Sequence, residues 1–313
     1  MVKLHIKILL FIFLLSVPIT MSAQYRWRNV LIADSLSPQN DISAIVFAKN
    51  GGMWAGTWKG IYKFVDGKWI SNGLENHYIQ TLIIDRNDNL LAGTWGNGLF
   101  IKNTSSSSWN VLNNMVSNVN CIYVDKKDEL WIGDCYNGLL FLNGKTHTKQ
   151  EVNNLSIGDS TVTSVVSDLD NNVWIATYHG VSVYHRNMGS KTFNTSNSIL
   201  PTNDIYTLYA DSKKRVWIGT MNGLVCYYRQ KWVLYNMNNA SLSSNLIYCI
   251  AEDHKGNIWV GTDNGVNRFD GKRWVYYNRN NSSLVDNRVQ TIATFGNCIY
   301  LGTSQGISEL YEN

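Results

Sequence analysis

The stretch IAEDHKGNIWVGTDNGV, residues 250–266, decides the fold, because its centre returns along the whole chain. The segment IWVGT at 258 reappears as MWAGT at 53, LLAGT at 90, LWIGD at 130, VWIAT at 173, VWIGT at 216 and IYLGT at 299. Anchored on Trp54, Leu91, Trp131, Trp174, Trp217, Trp259 and Tyr300, successive motifs stand 37, 40, 43, 43, 42 and 41 residues apart. A period near forty, rich in β-branched and aromatic residues, is that of four-stranded sheets repeated around an axis. One such sheet cannot bury both its apolar faces alone, so neighbours pack face to face until the ring closes.

Each repeat reads as four short strands. In the fifth these are 205–210, the motif at 216–220, a third strand opened by Gly223 and a fourth marked by Trp232. Alternation and Gly, Asn and Asp punctuation favour strands, and no segment has a helical period. The last repeat ends at Leu310-Tyr311 without a fourth strand, while Trp27-Arg28-Asn29-Val30-Leu31 resembles the fourth strands at Trp69, Trp232 and Trp274. The expectation is an all-β, seven-bladed β-propeller of four-stranded antiparallel blades over residues 24–313, in which the N-terminal strand completes the last blade and removes a sheet edge.

Residues 1–23 differ in kind. Lys3 and Lys7 precede an apolar run from Ile8 to about Ile19, followed by Ser22 and Ala23, the layout of a secretory signal peptide. The run is shorter than the roughly 20 apolar residues that span a bilayer, so no stable membrane span is expected after cleavage. Taking Lys3 and Lys7 from the 27 basic residues leaves 25 against 23 acids, a balance that argues against nucleic acid as a partner. The expected location is periplasmic or secreted, and the expected state a monomer without cofactor. Cys121, Cys135, Cys226, Cys249 and Cys298 lack metal-site spacing. Most read as small core residues, with one or two disulfides open in an oxidising compartment.

The repeat explains most of its polar residues. Asp85, Asp125, Asp168, Asp211 and Asp253 each stand six residues before an anchor, where a short carboxylate can accept backbone N–H bonds and hold a turn. That reading is preferred to a metal ring. The recurrent Thr at 57, 94, 177, 220, 262 and 303 reads as scaffold, and the Gly that opens each third strand supplies a backbone conformation other residues resist.

What departs from the repeat lies in the loop between the second and third strands. It reads Trp58-Lys59, Trp95-Gly96-Asn97, Cys135-Tyr136-Asn137, Tyr178-His179, Met221-Asn222, Asp263-Asn264 and Ser304-Gln305. Blades 1 to 4 each offer an aromatic there, and blade 3 replaces the Thr with Asp134. Exposed rings can cover the apolar face of a sugar while Lys59, Asn97, Asp134, Asn137, His179 and, just before blade 2, His77 bond to hydroxyls. The bland alternative is that the rings cap the channel and pack on one another. For an enzyme, the chain offers a single candidate carboxylate, Asp134, and two face histidines, so no catalytic residue is assigned.

The pattern I-x-x-I-x-x-D leading into GNIWVGTDNGV, most complete around residues 250–266, resembles the two-component regulator propeller repeat. The resemblance covers essentially the whole chain after the leader. It implies the periplasmic sensing part of a hybrid histidine kinase of Bacteroidetes-type bacteria, often responsive to glycan fragments. The sequence departs from that arrangement in showing no second propeller, Ig-like connector, transmembrane helix, kinase core or DNA-binding helix, which argues against direct signalling; the expected partner is an oligosaccharide or a protein such as a separate membrane sensor. Streptogramin-lyase propellers have a similar repeat with a catalytic His and Glu on this face, and His179 occupies a suitable loop. The reading is a non-catalytic exported propeller that binds an oligosaccharide through Trp58, Trp95, Tyr136 and Tyr178. A protein-interaction scaffold is the alternative, and a lyase-like enzyme follows it.

Overall fold

A computed structural model of the chain describes residues 25–33, 37–113, 115–149, 155–185 and 188–312. The leader read at 1–23 lies outside the described residues. Motif and turn signals become seven antiparallel sheets, six of four strands and, among the described residues, one of three in blade 3. Blade 5 is typical, running Ile205–Ala210, Val216–Thr220, Gly223–Tyr228 and Lys231–Tyr235 from the axis outwards. The motif strand Val216–Thr220 is buried at all five positions because neighbouring blades cover both its faces, whereas the outer strand Lys231–Tyr235 has exposed positions.

The core therefore sits between blades. Trp174, Val181 and Val183 of blade 4 pack with Ile205, Leu208, Val216 and Ile218 of blade 5. Ile42, Ile45 and Met53 of blade 1 pack with Ile307 of blade 7, which closes the ring. As the sequence predicts, Tyr25–Val30 completes blade 7, running antiparallel to Gly306–Glu312 from Tyr25 opposite Glu312 to Val30 opposite Ile307.

The motif Gly sets how closely blades approach. A Cβ at Gly219 would stand 2.5 Å from Thr207 Cγ2 and 2.7 Å from Ile247 Cγ2 of the next blade. Blade 4 has Ala176 at this position, wholly buried against its neighbour. The Gly that opens the third strand meets the other requirement, with φ of +123° at Gly223.

The recurrent Asp and Thr do what their spacing predicts. Asp253 Oδ1 accepts from Lys255 N and Asn257 N, both at 2.9 Å. Its Oδ2 accepts from Trp259 Nε1 at 2.8 Å, a bond repeated from Asp125 to Trp131, Asp168 to Trp174 and Asp211 to Trp217. Thr262 Oγ1 donates to Gly265 O at 2.8 Å and accepts from Asn264 N, sealing the second-to-third-strand turn. A four-residue helical turn, Met237–Ala240, is capped by Asn236.

Candidate functional site: the loop face

Antiparallel order sends the second-to-third-strand turns and the blade-to-blade connections to one end of the ring, and the other turns to the opposite end. On the loop face, Trp58, Trp95, Tyr136 and Tyr178 are 49%, 43%, 63% and 40% exposed. Each is braced on one side by a second ring. Trp58 tilts against Tyr78 with centroids 4.6 Å apart, Trp95 and Tyr136 meet edge-to-face at 6.4 Å, and Tyr178 meets Tyr206 edge-to-face at 6.0 Å. Neighbouring blades thus pair their rings while leaving much of each surface to solvent.

The innermost strands contribute a second tier that the loop comparison misses. Every one slips register by a single residue at its second position, at Ser43, Gln80, Asn120, Thr163, Tyr206, Tyr248 and Gln290. Such bulges re-aim a side chain. Asn120 Nδ2 donates to Val162 O at 3.0 Å and Thr163 Oγ1 to Ile205 O at 2.7 Å, each reaching the next blade. Blades 5 and 6 put Tyr206 and Tyr248 there instead, and the Arg288 guanidinium lies 5.5 Å from the Tyr248 ring centroid. The aromatic arc consequently extends beyond blades 1 to 4, through residues on a different strand from the loop aromatics. A side-by-side comparison of the first strands would have exposed them as the two rings among five polar residues.

Charge enters at the junction of the first and last blades. Asp41, just before the inner strand of blade 1, accepts from Gln290 Nε2 at 2.5 Å. Burial pushes its carboxyl above the ordinary range, against the pull of Gln290 and Arg288. The Tyr78 hydroxyl is also raised, by burial first and then by Asp41. Burial raises the Tyr206 hydroxyl as well, with Asp204 and Tyr248 adding to it.

The polar residues predicted from the loops separate. His179 Nδ1 lies 2.8 Å from Asp159 Oδ2 of the preceding connection, giving the face an exposed imidazole–carboxylate pair. Lys59 and Asn97 are exposed beside Trp58 and Trp95. His77 is engaged by its own connection and strand, its Nδ1 3.2 Å from Glu75 O and its ring edge-on to Phe100 at 5.4 Å. Asp134 requires a correction. It is wholly buried, and its carboxylate accepts from Tyr136 N, Asn137 N and Asn137 Nδ2 through Oδ1 and from Ser117 N and Asn118 N through Oδ2. With five donors satisfied inside the protein, it braces the longer blade-3 loop and is out of reach of a ligand. Asn137 is tied to the same carboxylate, yet remains at the surface.

All five cysteines are free. Among the described residues no group of three or more His, Cys, Asp or Glu could hold a metal ion, and no helix is long and apolar enough to cross a membrane.

Residues 199–222 and 241–264 match the two component regulator propeller family. At these two stretches the chain carries the two-component regulator propeller repeat. Over 86% of its length it superimposes, at 25% identity and a TM-score of 0.73, on the extracellular domain of a protein described as a hybrid two component system from B. thetaiotaomicron. A second extracellular domain from that organism, described as a one component system, is 22% identical over 91% of the chain with a TM-score of 0.75. The chain spans 38% and 40% of the length of these two domains. Virginiamycin B lyase from Staphylococcus aureus shares the fold, with a TM-score of 0.75 at 12% identity over 93% of this chain and all of its own. No curated protein matches significantly. The chain thus shares its fold with these extracellular domains and carries the regulator-propeller repeat in two stretches, and on its loop face rigid, half-exposed rings can stack on a flat apolar surface while flanking polar groups orient it.

Proposed function

We propose that this propeller is an exported, periplasmic or secreted ligand-binding protein that holds an oligosaccharide on its loop face. The observation that carries the reading is the row of braced rings, Trp58 with Tyr78, Trp95 with Tyr136 and Tyr178 with Tyr206. A pyranose presents C–H groups on one face and hydroxyls around its edge. Rings already held in place lose little entropy on stacking against the former, and His179, Asp159, Lys59, Asn97 and Asn137 stand at the height of the latter. The site is read as one that binds its ligand and releases it unchanged. Relatives with extracellular domains in signalling systems support a sensing role, with a separate membrane sensor as the reader of the bound state.

The test is a titration of tryptophan fluorescence with a panel of oligosaccharides, using wild type, Trp58→Ala, Trp95→Ala and Tyr206→Ala. A saturable change is expected with at least one sugar, weakened tenfold or more by each substitution, as loss of ~1.4 kcal/mol of contact requires. If no sugar produces saturation while all variants melt normally, the glycan reading fails and a protein partner on the same rings takes its place.

A further inference from the structure

The opposite end of the ring holds a cavity of about 660 Å³ between blades 4 and 5. It is well within the roughly 300–1,000 Å³ of small-molecule sites. Its walls are the first-to-second-strand turns of both blades, the third-to-fourth-strand turn of blade 5 and the outer strands beside them, so it is separate from the loop face. The floor is aromatic and continuous. Trp232 lies 4.7 Å from Tyr227 and 5.0 Å from Phe193, and Tyr227 lies 5.0 Å from Trp174, all centroid to centroid.

The rim is cationic. Lys191 Nζ stands 4.9 Å above the Phe193 ring and the Arg229 guanidinium 5.0 Å above the Tyr228 ring. Among the described residues neither meets a carboxylate within ion-pair distance. The acids of the cavity are already engaged. Asp170 pairs with Lys214 at 3.0 Å, and Asp168 is committed to its own turn and to Trp174 Nε1. His185 Nδ1 lies 2.6 Å from Asn172 Oδ1, leaving Nε2 as the ring's remaining polar atom. Two unpaired cations above an aromatic floor are complementary to an anion with a flat body.

The backbone adds an independent observation. Arg229 and Gln230 both sit in the left-handed region, with φ of +49° and +63°. The corresponding turn of blade 1 uses Asp66 and Gly67 at +49° and +80°, residue types suited to that geometry. Blade 5 accepts an unfavourable pair of residues, and what it gains is a guanidinium at the cavity rim. Strain of this kind gathers at ligand sites.

We propose that this cavity is a second ligand site, selective for small aromatic carboxylates, with Lys191 and Arg229 holding the carboxylate and Trp232, Tyr227 and Phe193 the ring. The probes are 2-naphthoate and its uncharged amide, 2-naphthamide, titrated calorimetrically at low ionic strength. Naphthoate should bind one to one, at least ~10-fold more tightly than the amide, since a charge-assisted bond exceeds a neutral one by that factor. Lys191→Met should weaken it ~10-fold or more, and Trp95→Ala on the loop face should leave it unchanged. Arg229→Gly separates binding from folding, because it relieves the turn while removing the cation. Its melting temperature should hold or rise as its affinity falls. Equal binding of acid and amide, naphthoate affinity unaltered in Lys191→Met and Arg229→Gly, or no saturable binding of either probe overturns the proposal.

Discussion

Trp259 Nε1 donates a 2.8 Å hydrogen bond to Asp253 Oδ2, joining the residue that shapes a turn to the residue that fills the space between blades. The same carboxylate also takes Asn257 Nδ2 at 2.8 Å and the amides of Lys255 and Asn257. Both partners are buried, so each bond stands in for water that cannot enter. Replacing Asp253 by Ala leaves the indole N–H and two turn amides unsatisfied, and the expected loss is about 3 kcal/mol. Urea unfolding of Asp253→Ala measures it. A midpoint equal to wild type would show the bond to be incidental.

Gly219 allows the Ile247 side chain of the next blade to lie against the motif strand. A methyl there must displace either Ile247 or Thr207, so Gly219→Ala should cost about 1–3 kcal/mol. Ala176→Gly, at the equivalent place in blade 4, should lower stability by a smaller amount, through lost contacts and added backbone freedom. Thermal melts of the two single variants distinguish these outcomes, and an unchanged Gly219→Ala would mean the blades can slide apart at no cost.

Closure depends on Tyr25–Val30, which pairs with Gly306–Glu312 and brings Arg28 to Glu309, with Nε to Oε2 at 2.6 Å. Removing residues 25–30 uncovers the hydrogen-bonding edge of the last blade. The shortened protein should melt lower and self-associate, because an open strand edge is a template for another chain. Size-exclusion chromatography at several concentrations reads the association, and a monomeric, equally stable product would contradict the closure argument.

The His179–Asp159 pair carries a pH dependence. Burial pushes the Asp159 carboxyl up, but the His179 bond and the Thr161 and Ser160 amides outweigh it and hold the group below its usual value of 3.8. A carboxyl lowered in the folded state contributes stability that is complete above that unfolded value and disappears as pH falls through the lower, folded one. The difference in melting temperature between wild type and Asp159→Asn should therefore be present at about pH 5 and shrink below about pH 4. A difference that grows as pH falls from about 4 would reverse the assignment.

Much of this protein was legible in the amino-acid order because a repeat states its local rules seven times. The Asp before five of the anchors, the Thr that closes the next turn and the Gly that opens the third strand act on groups two to six residues away, so spacing alone identifies their work. Closure by the first strand was readable for the same reason, since the last repeat ends without a fourth strand of its own and the stretch at Trp27 reads as one. Tertiary packing decided what reaches between blades. Asp134 looks like a loop acid in the sequence, yet five donors converge on it in the interior. Tyr206 and Tyr248 join the loop face only because bulges in the inner strands re-aim them, and the cavity above Trp232 exists only where the turns of blades 4 and 5 meet. Contacts within a repeat follow from local geometry, whereas contacts across blades, some forty residues apart, depend on how the closed ring sets each blade against the next.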